Sequence, residues 1–330
     1  MNTCLVTGGL GYIGSHICIE LLSMDYNLII IDNLSNSKID KLDEIKKFNT
    51  NNNKILFYNF DLINFTTLSD CLENINLTIN VIIHLAGFKA VSESIINPIL
   101  YYENNLISTI NLIKIMEIYK IKNLIFSSSS TVYGSSSVPY TEKSSTGIGI
   151  TNPYGRSKFI QEEMLKDIII SKPDWNIVSL RYFNPIGHLD NNLKEEPNGI
   201  PNNLFPFLLK VHRSELNELT IFGSDYNTID GTCTRDFIHV VDLANAHLVC
   251  CNNLINGNIS GLKTYNVGTG NDTSVLELIN AFEKVNNTKI KWKFGSRRPG
   301  DLEKSYCNVD LINEELGWHA KYDINDCVKI

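Results

Sequence analysis

Several short runs in the first half of the chain are apolar on consecutive positions instead of alternating, and this restricts the fold more than any other feature. A strand with one wet face alternates apolar and polar residues, whereas a strand covered on both faces does not. Leu28-Ile29-Ile30-Ile31 is the clearest case, and Cys4–Thr7, Ile55–Asn59, Val81–His84, Leu124–Ser127 and Ile177–Arg181 read as its companions. Between them lie longer amphipathic stretches at Ile13–Met24, Ile39–Phe48, Phe65–Asn74, Leu100–Tyr119 and Tyr154–Ile170, which read as helices. Strand, helix, strand repeated with short connections predicts an α/β fold on a doubly wound parallel sheet. After about Asn184 the regularity weakens. A loop rich in Asn and Pro (Asp190–Pro206) precedes smaller elements at Leu219–Phe222, Val240–Cys251, Thr264–Val267, Ser274–Val285 and Lys289–Phe294. The expectation is a first domain over 1–184 and a smaller mixed α/β C-terminal lobe over 185–330, interleaved with the first.

The glycine-rich segment Gly8-Gly9-Leu10-Gly11-Tyr12-Ile13-Gly14 follows the first strand and opens the first helix. Glycine permits a tight turn there and lets the backbone approach a pyrophosphate, whose charge then meets a helix N-terminus. Asp32 ends the second strand 18 residues after Gly14, where a carboxylate can bind adenine ribose hydroxyls. That carboxylate would repel a 2′-phosphate, and no Arg follows among Asn33, Leu34, Ser35, Asn36 and Ser37, so NAD is favoured over NADP.

Tyr154-Gly155-Arg156-Ser157-Lys158 opens a later helix, with Pro153 in its first turn. Tyr154 and Lys158 are four apart and share a helix face. A nearby ammonium stabilises a phenolate, and a general base works best near the operating pH. Upstream, a strand runs into Ser127-Ser128-Ser129-Ser130-Thr131, placing hydroxyls at a strand C-terminus, where α/β sheets bind ligands.

Composition narrows the class. The net charge of −7 argues against general binding to nucleic acid or an anionic membrane. No stretch approaches the ~20 apolar residues of a membrane helix, and the start has no basic, apolar leader. The eight cysteines show no C-x-x-C or zinc spacing, and the histidines are scattered, so reduced core thiols in a cytoplasmic protein without a metal are expected.

Taken together, Thr7–His16, Ser127–Gly134 (S-S-S-x-T-V-Y-G), Tyr154–Lys158 and Arg181–Gly187 (R-Y-F-N-P-x-G) resemble the extended short-chain dehydrogenase/reductases. Within them the chain is most similar to the UDP-glucose/UDP-galactose 4-epimerases. Later motifs carry that likeness: Ile221-Phe222-Gly223, Arg235-Asp236-Phe237-Ile238-His239 and Arg297-Arg298-Pro299-Gly300-Asp301. The resemblance implies a Rossmann-type sheet, a bound NAD, a UDP-sugar substrate and a homodimer paired through the helices Leu100–Tyr119 and Tyr154–Ile170. By position, it makes Tyr154 the base, Lys158 the residue that tunes it, and Ser129 the partner of the sugar 4-hydroxyl. It gives cofactor contacts to Gly8, Gly11, Tyr12, Ile13, Gly14, the Asp32–Ser37 segment, Asp61, Leu62, Leu85, Ala86, Gly87, Phe88, Lys89, Asn104, Ser129, Tyr154, Lys158 and Phe183. Contacts to the nucleotide sugar fall on Ser129, Tyr154, Asn184, Asn203, Leu204, Thr220, Ile221, Phe222, Arg235, Arg298 and Asp301. The implied reaction inverts C4 reversibly through a 4-keto sugar. Ser305 aligns with a gate beside the sugar 2-substituent, and a small residue there resembles enzymes that also accept N-acetylated sugars. The alternatives are another nucleotide-sugar epimerase or dehydratase of the superfamily, or a catalytically silent NAD-binding regulator. Dehydratases carry an Asp-Glu pair where this chain has Ser130 and Thr131, which cannot serve as carboxyl acid and base.

Overall fold

The computed structural model describes residues 1–196, 201, 203–298 and 300–330. Residues 197–200 and 202 of the expected Asn- and Pro-rich loop, and Pro299 of the Arg297–Asp301 motif, lie outside the described residues. The first half runs β1 (Thr3–Thr7), α1 (Tyr12–Ser23), β2 (Asn27–Ile31), α2 (Asp40–Lys47), β3 (Ile55–Tyr58), α3 (Phe65–Glu73) and β4 (Val81–His84). It continues with α4 (Val91–Ile96), α5 (Pro98–Ile118), β5 (Asn123–Ser129), α6 (Pro153–Ser171) and β6 (Asn176–Tyr182). Every strand and helix expected here is present, with ends displaced by no more than two residues. The six-residue helix α4 and a single 3-10 turn, Ser130–Tyr133, were not anticipated.

Beyond β6 come β7 (Asn184–Ile186), α7 (Leu204–His212), β8 (Leu219–Phe222), β9 (Thr234–Arg235), β10 (Phe237–His239) and α8 (Val240–Ile255). Then follow β11 (Gly261–Val267), β12 (Thr273–Ser274), α9 (Val275–Val285), β13 (Trp292–Gly295), β14 (Lys304–Ser305), α10 (Asp310–Leu316) and α11 (Ile324–Cys327). The loop expected through Pro206 ends earlier, because α7 begins at Leu204 with Asn203 at its N-cap. Pro206 falls in the first turn of that helix, where its missing N–H has no intrahelical partner to lose.

The main sheet has seven strands in the order β11-β6-β5-β4-β1-β2-β3. All its pairings are parallel. The order reverses between β1 and β4, and a crevice opens there at the strands' carboxyl ends. Consecutive residues of β2 explain the unbroken apolar run. Leu28 and Ile30 enter one core with Ile17, Leu21, Leu243 and Cys250, whereas Ile29 and Ile31 enter the opposite core with Leu112, Ile115 and Leu165.

Thr264–Val267, expected among the small elements of the C-terminal lobe, forms the end of β11 and closes the main sheet beside β6. The helix before it, α8, packs on α1. The smaller sheets β7·β10, β9·β12·β14 and β8·β13 come from the second half, around a separate core that includes Phe205, Leu208, Ile221, Ile279 and Phe282. Ser274 and Glu277 form a capping box that fixes the start of α9.

Candidate active site

The turn from β1 into α1 is compact because its glycines touch backbone. A Cβ at Gly14 would stand 2.2 Å from Gly8 O, and one at Gly8, whose φ is +70°, would stand 2.9 Å from Ala86 N. No side chain caps α1, whose N-cap is Gly11, so its first N–H groups stay open to an anion. Asp32 is held by three bonds: Leu10 N donates to Oδ2 at 3.0 Å, and Leu34 N and Ser37 Oγ donate to Oδ1 at 2.9 and 2.8 Å. An ionised carboxylate accepts about four bonds, so acceptor capacity remains for a further hydroxyl. The glycine turn and Asp32 open into a cavity of about 670 Å³ at the topological switch, within the usual range for a ligand site.

Tyr154 and Lys158 line the far end of the same cavity. Their helix starts at a defined point because Asn152 accepts a bond from Gly155 N at 2.8 Å and Pro153 follows at the first position. Lys158 is 4% exposed. Its Nζ donates to Ser127 O at 2.6 Å and lies 4.8 Å from the centre of the Phe126 ring. Burial lowers this amine to about 7, and the Glu162 carboxylate one turn on opposes the shift. Desolvation raises the Tyr154 phenol above its ordinary value, while the Ser129 hydroxyl and the Lys89 ammonium pull it down. The expectation that Lys158 acidifies the phenol toward neutrality is therefore corrected. The shared helix face is real, but the lysine amine is turned to the Ser127 carbonyl, and loss of water outweighs the charges near Tyr154.

Two buried polar networks support this pair. In one, Glu162 accepts from Arg181 Nη2 at 2.7 Å and Nε at 3.0 Å and from Ser128 Oγ at 2.5 Å. Arg181 also donates to Tyr133 Oη at 3.0 Å, and Tyr133 donates to Asn266 at 2.6 Å. In the other, His84 bridges Thr7 Oγ1 at 2.8 Å and Thr109 Oγ1 at 2.9 Å, and Asn105 donates to Ser157 at 3.0 Å. Burial, reinforced by the Lys158 charge, lowers His84 to about 3 and keeps it neutral.

Of the residues expected at the nucleotide sugar, Phe222, Arg235, Arg298 and Asp301 gather in the second half. Arg298 grips Asp301 with Nε at 3.1 Å and Nη2 at 2.8 Å, and Arg235 Nη2 approaches Asp301 at 3.7 Å. The Arg298 guanidinium lies 5.4 Å from the centre of the Phe222 ring, on the strand that also carries Thr220 and Ile221. Ser305 sits opposite Arg235 in the β14·β9 pair and is 7% exposed, and the carbonyl of the next residue, Tyr306, accepts from Tyr140 N at 3.0 Å. Tyr140 stacks on Tyr133 at 4.6 Å and packs on Phe183 at 6.3 Å, which joins this cluster to the network behind Lys158.

The cavity thus brings together Gly8, Gly11, Tyr12, Ile13 and Gly14 with Asp32, Asn33, Ser35, Asn36 and Ser37. Asp61, Leu62, the Leu85–Lys89 segment, Asn104, Tyr154, Lys158 and Asn203 complete the expected lining. Leu34, Ser129, Phe183, Asn184 and Leu204 lie outside that lining, as do Thr220, Ile221, Phe222, Arg235, Arg298, Asp301 and Ser305. Sequence reasoning missed Lys41, Tyr101, Glu93 and the Glu195–Glu196 pair, all of which line the cavity. Glu195 binds Lys89 at 2.5 Å across it. No local pattern marks these residues, since only the tertiary fold carries residue 195 to residue 89.

Comparison with known proteins agrees with this geometry. The family model described as GDP-mannose 4,6 dehydratase matches residues 5–330. The UDP-glucose 4-epimerase of Bacillus subtilis (strain 168) is 43% identical over 326 residues, covering 98% of this chain and 93% of that protein. A Bifidobacterium longum UDP-glucose 4-epimerase, solved in complex with NAD+ and UDP, superposes with a TM-score of 0.93 at 43% identity, covering 99% of this chain and 96% of that one. The UDP-Glc/GlcNAc 4-epimerase of Campylobacter jejuni superposes with a TM-score of 0.84 at 33% identity, covering 99% of this chain and 98% of that one. By near-complete likeness in both sequence and fold, the chain belongs to the UDP-glucose 4-epimerase family, within the extended short-chain dehydrogenase/reductases.

Proposed function

We propose that the protein interconverts UDP-galactose and UDP-glucose by inverting the sugar at C4, with NAD as its resident cofactor. The observation that carries this reading is the placement of Tyr154 and Lys158 in the same cavity as the glycine turn and Asp32. The turn fits a dinucleotide, because the space that a Cβ at Gly14 would fill is already closed by backbone, leaving open N–H groups for a pyrophosphate. In this reading residues 1–184 hold the cofactor and 185–330 the UDP-sugar. When bound, NAD supplies reversible hydride acceptance at C4. Tyr154 takes the C4 hydroxyl proton and later returns it, with Ser129 bonded to the phenol and to the substrate hydroxyl. Lys89 favours the ionised phenol by charge. Arg235 and Arg298 grip the diphosphate through paired N–H groups, exchanging part of their hold on Asp301 for the ligand. Anchoring UDP while the keto sugar turns leaves the same base serving either face.

The small side chain of Ser305 extends the substrate range to UDP-GlcNAc and UDP-GalNAc. A homodimer through α5 and α6 is supported by the exposure of Ile99, Ile107, Ile110 and Ile118 along α5. Among the described residues no helix is long and apolar enough to cross a membrane, and all eight cysteines are free, which supports a cytoplasmic location. The test is turnover of UDP-galactose by the purified protein without added NAD. UDP-glucose should form, and Tyr154→Phe should reduce the rate by about 10²–10⁴. Bound NAD with no turnover would favour the silent regulator, and a 4-keto-6-deoxy product the dehydratase.

A further inference from the structure

The chain leaving β7 is bonded first to α1 and then to both walls of the crevice, one wall following β2 and the other β4. Two residues one turn apart on α1 hold its start. Tyr12 Oη donates to Gly187 O at 2.6 Å, and Leu189 N donates to His16 Nε2 at 3.1 Å. His16 Nδ1 lies 2.8 Å from Tyr12 O. A backbone N–H can only donate and a carbonyl can only accept, so this imidazole is neutral with its proton on Nδ1. Burial lowers His16 to about 3, which keeps that form at neutral pH. Farther on, a 3-10 turn at Asn191–Leu193 sinks Leu193 into the core that includes Ile17 and Leu21 of α1.

Both walls are then engaged. On the β2 side, Asn192 Nδ2 donates to Glu44 at 3.3 Å, Lys41 Nζ donates to Lys194 O at 3.5 Å, and Glu196 approaches Lys38 at 3.8 Å. On the β4 side, Glu195 accepts from Lys89 at 2.5 Å, and Asn203 Nδ2 donates to the same oxygen at 3.3 Å. Lys41, Lys89, Glu195 and Glu196 all line the cavity between these walls. Two carboxylates are ill-placed in a cavity suited to a pyrophosphate, because like charges repel. Their lysine partners account for them. We propose that Gly187–Glu196 is a strap that governs passage of the dinucleotide, pinned to α1 by Tyr12 and His16 and closed across the cavity by the Glu195–Lys89 pair.

This inference rests on the dinucleotide reading of the cavity. A reaction that removes hydride and returns it needs the same cofactor at both steps, so a slow exit serves it. Every tie of the strap joins residues of the chain to one another. Such ties oppose entry and exit alike, because the strap must part for either. Loosening it therefore speeds release and uptake together and leaves the affinity nearly unchanged. Loss of a direct contact to the cofactor would instead speed release alone.

The test uses holoenzyme loaded with 1,N6-etheno-NAD, a fluorescent dinucleotide. A chase with excess NAD gives the release rate, and serial dilution of the same holoenzyme gives the dissociation constant. Glu195→Gln keeps the shape and removes the charge, and should raise the release rate about two- to fivefold, the weight of a partly exposed ion pair. His16 lies outside the cavity lining. His16→Phe removes the acceptor of Leu189 N and should raise the rate about three- to tenfold, the weight of one hydrogen bond. His16→Gln can place an oxygen where Nε2 stands and should restore slow release. In each variant the dissociation constant should stay within about twofold of the unmodified protein. A dissociation constant that rises in step with the release rate would make Glu195 a cofactor contact and overturn the strap. If His16→Phe fails to fold, Glu195→Gln decides alone. Failure of the unmodified protein to hold etheno-NAD defeats the dinucleotide reading, whereas etheno-NAD released at one rate from every variant defeats the strap alone.

Discussion

Removal of the Glu162 charge tests whether the buried network behind Lys158 is an electrostatic unit. Glu162 and Arg181 have side chains only 3% and 5% exposed, joined by N–O distances of 2.7 and 3.0 Å. Glu162→Gln keeps the size and one acceptor oxygen but leaves the guanidinium buried without a counter-charge. Breaking such a pair from one side costs about 3–5 kcal/mol. A chain of 330 residues unfolds with an entropy of about 0.7 kcal/mol per kelvin, so the melting temperature should fall by about 4–7 °C. Lys158, whose amine already sits at about 7, loses the carboxylate that supports its charge and should be depressed further. Differential scanning calorimetry at fixed nucleotide and protein concentration reads the stability, and a double-mutant cycle of Glu162→Leu, Arg181→Met and the pair Glu162→Leu/Arg181→Met apportions it. The double variant should recover most of the loss, because an apolar pair carries no desolvation penalty. Losses that simply add across the cycle would refute the reasoning.

Ser305→Tyr should selectively abolish interconversion of UDP-GalNAc and UDP-GlcNAc while turnover of UDP-galactose persists, measured side by side on the two substrates. Equal loss of both would count against a gate at this strand. Gly14→Ala places a methyl group 2.2 Å from Gly8 O and 2.7 Å from Gly9 Cα, so the turn must open. The variant should purify with most of its NAD missing, read by chromatography of the nucleotide released on denaturation. Full occupancy would show that the turn tolerates displacement.

The parallel sheet was legible because strands buried on both faces carry an unmistakable pattern, as in Leu28–Ile31, and because the glycine turn marks the first crossover. The dyad was legible as a spacing, but spacing says nothing about where an amine points. The Lys158 bond to the Ser127 carbonyl and the desolvation of Tyr154 arise from packing between α6 and β5. The start of α7 was hidden by Pro206, which usually signals a loop yet is at home in a first turn. Glu195 and Glu196 were invisible for a different reason, since ion pairs such as Lys89–Glu195 and Lys38–Glu196 join residues more than a hundred positions apart. The link from Tyr306 through Tyr140 to Tyr133 likewise depends on three segments meeting in one core.

The seventh strand of the main sheet has a consequence for how this chain can be divided. Because β11 arrives only after β7–β10, a fragment ending at residue 184 would leave β6 as an open edge and α1 without its neighbour α8. Neither half could be expressed as a self-sufficient module. The small sheets of the second half are stitched into the main sheet through β11 and α8, so loosening one part transmits directly to the other.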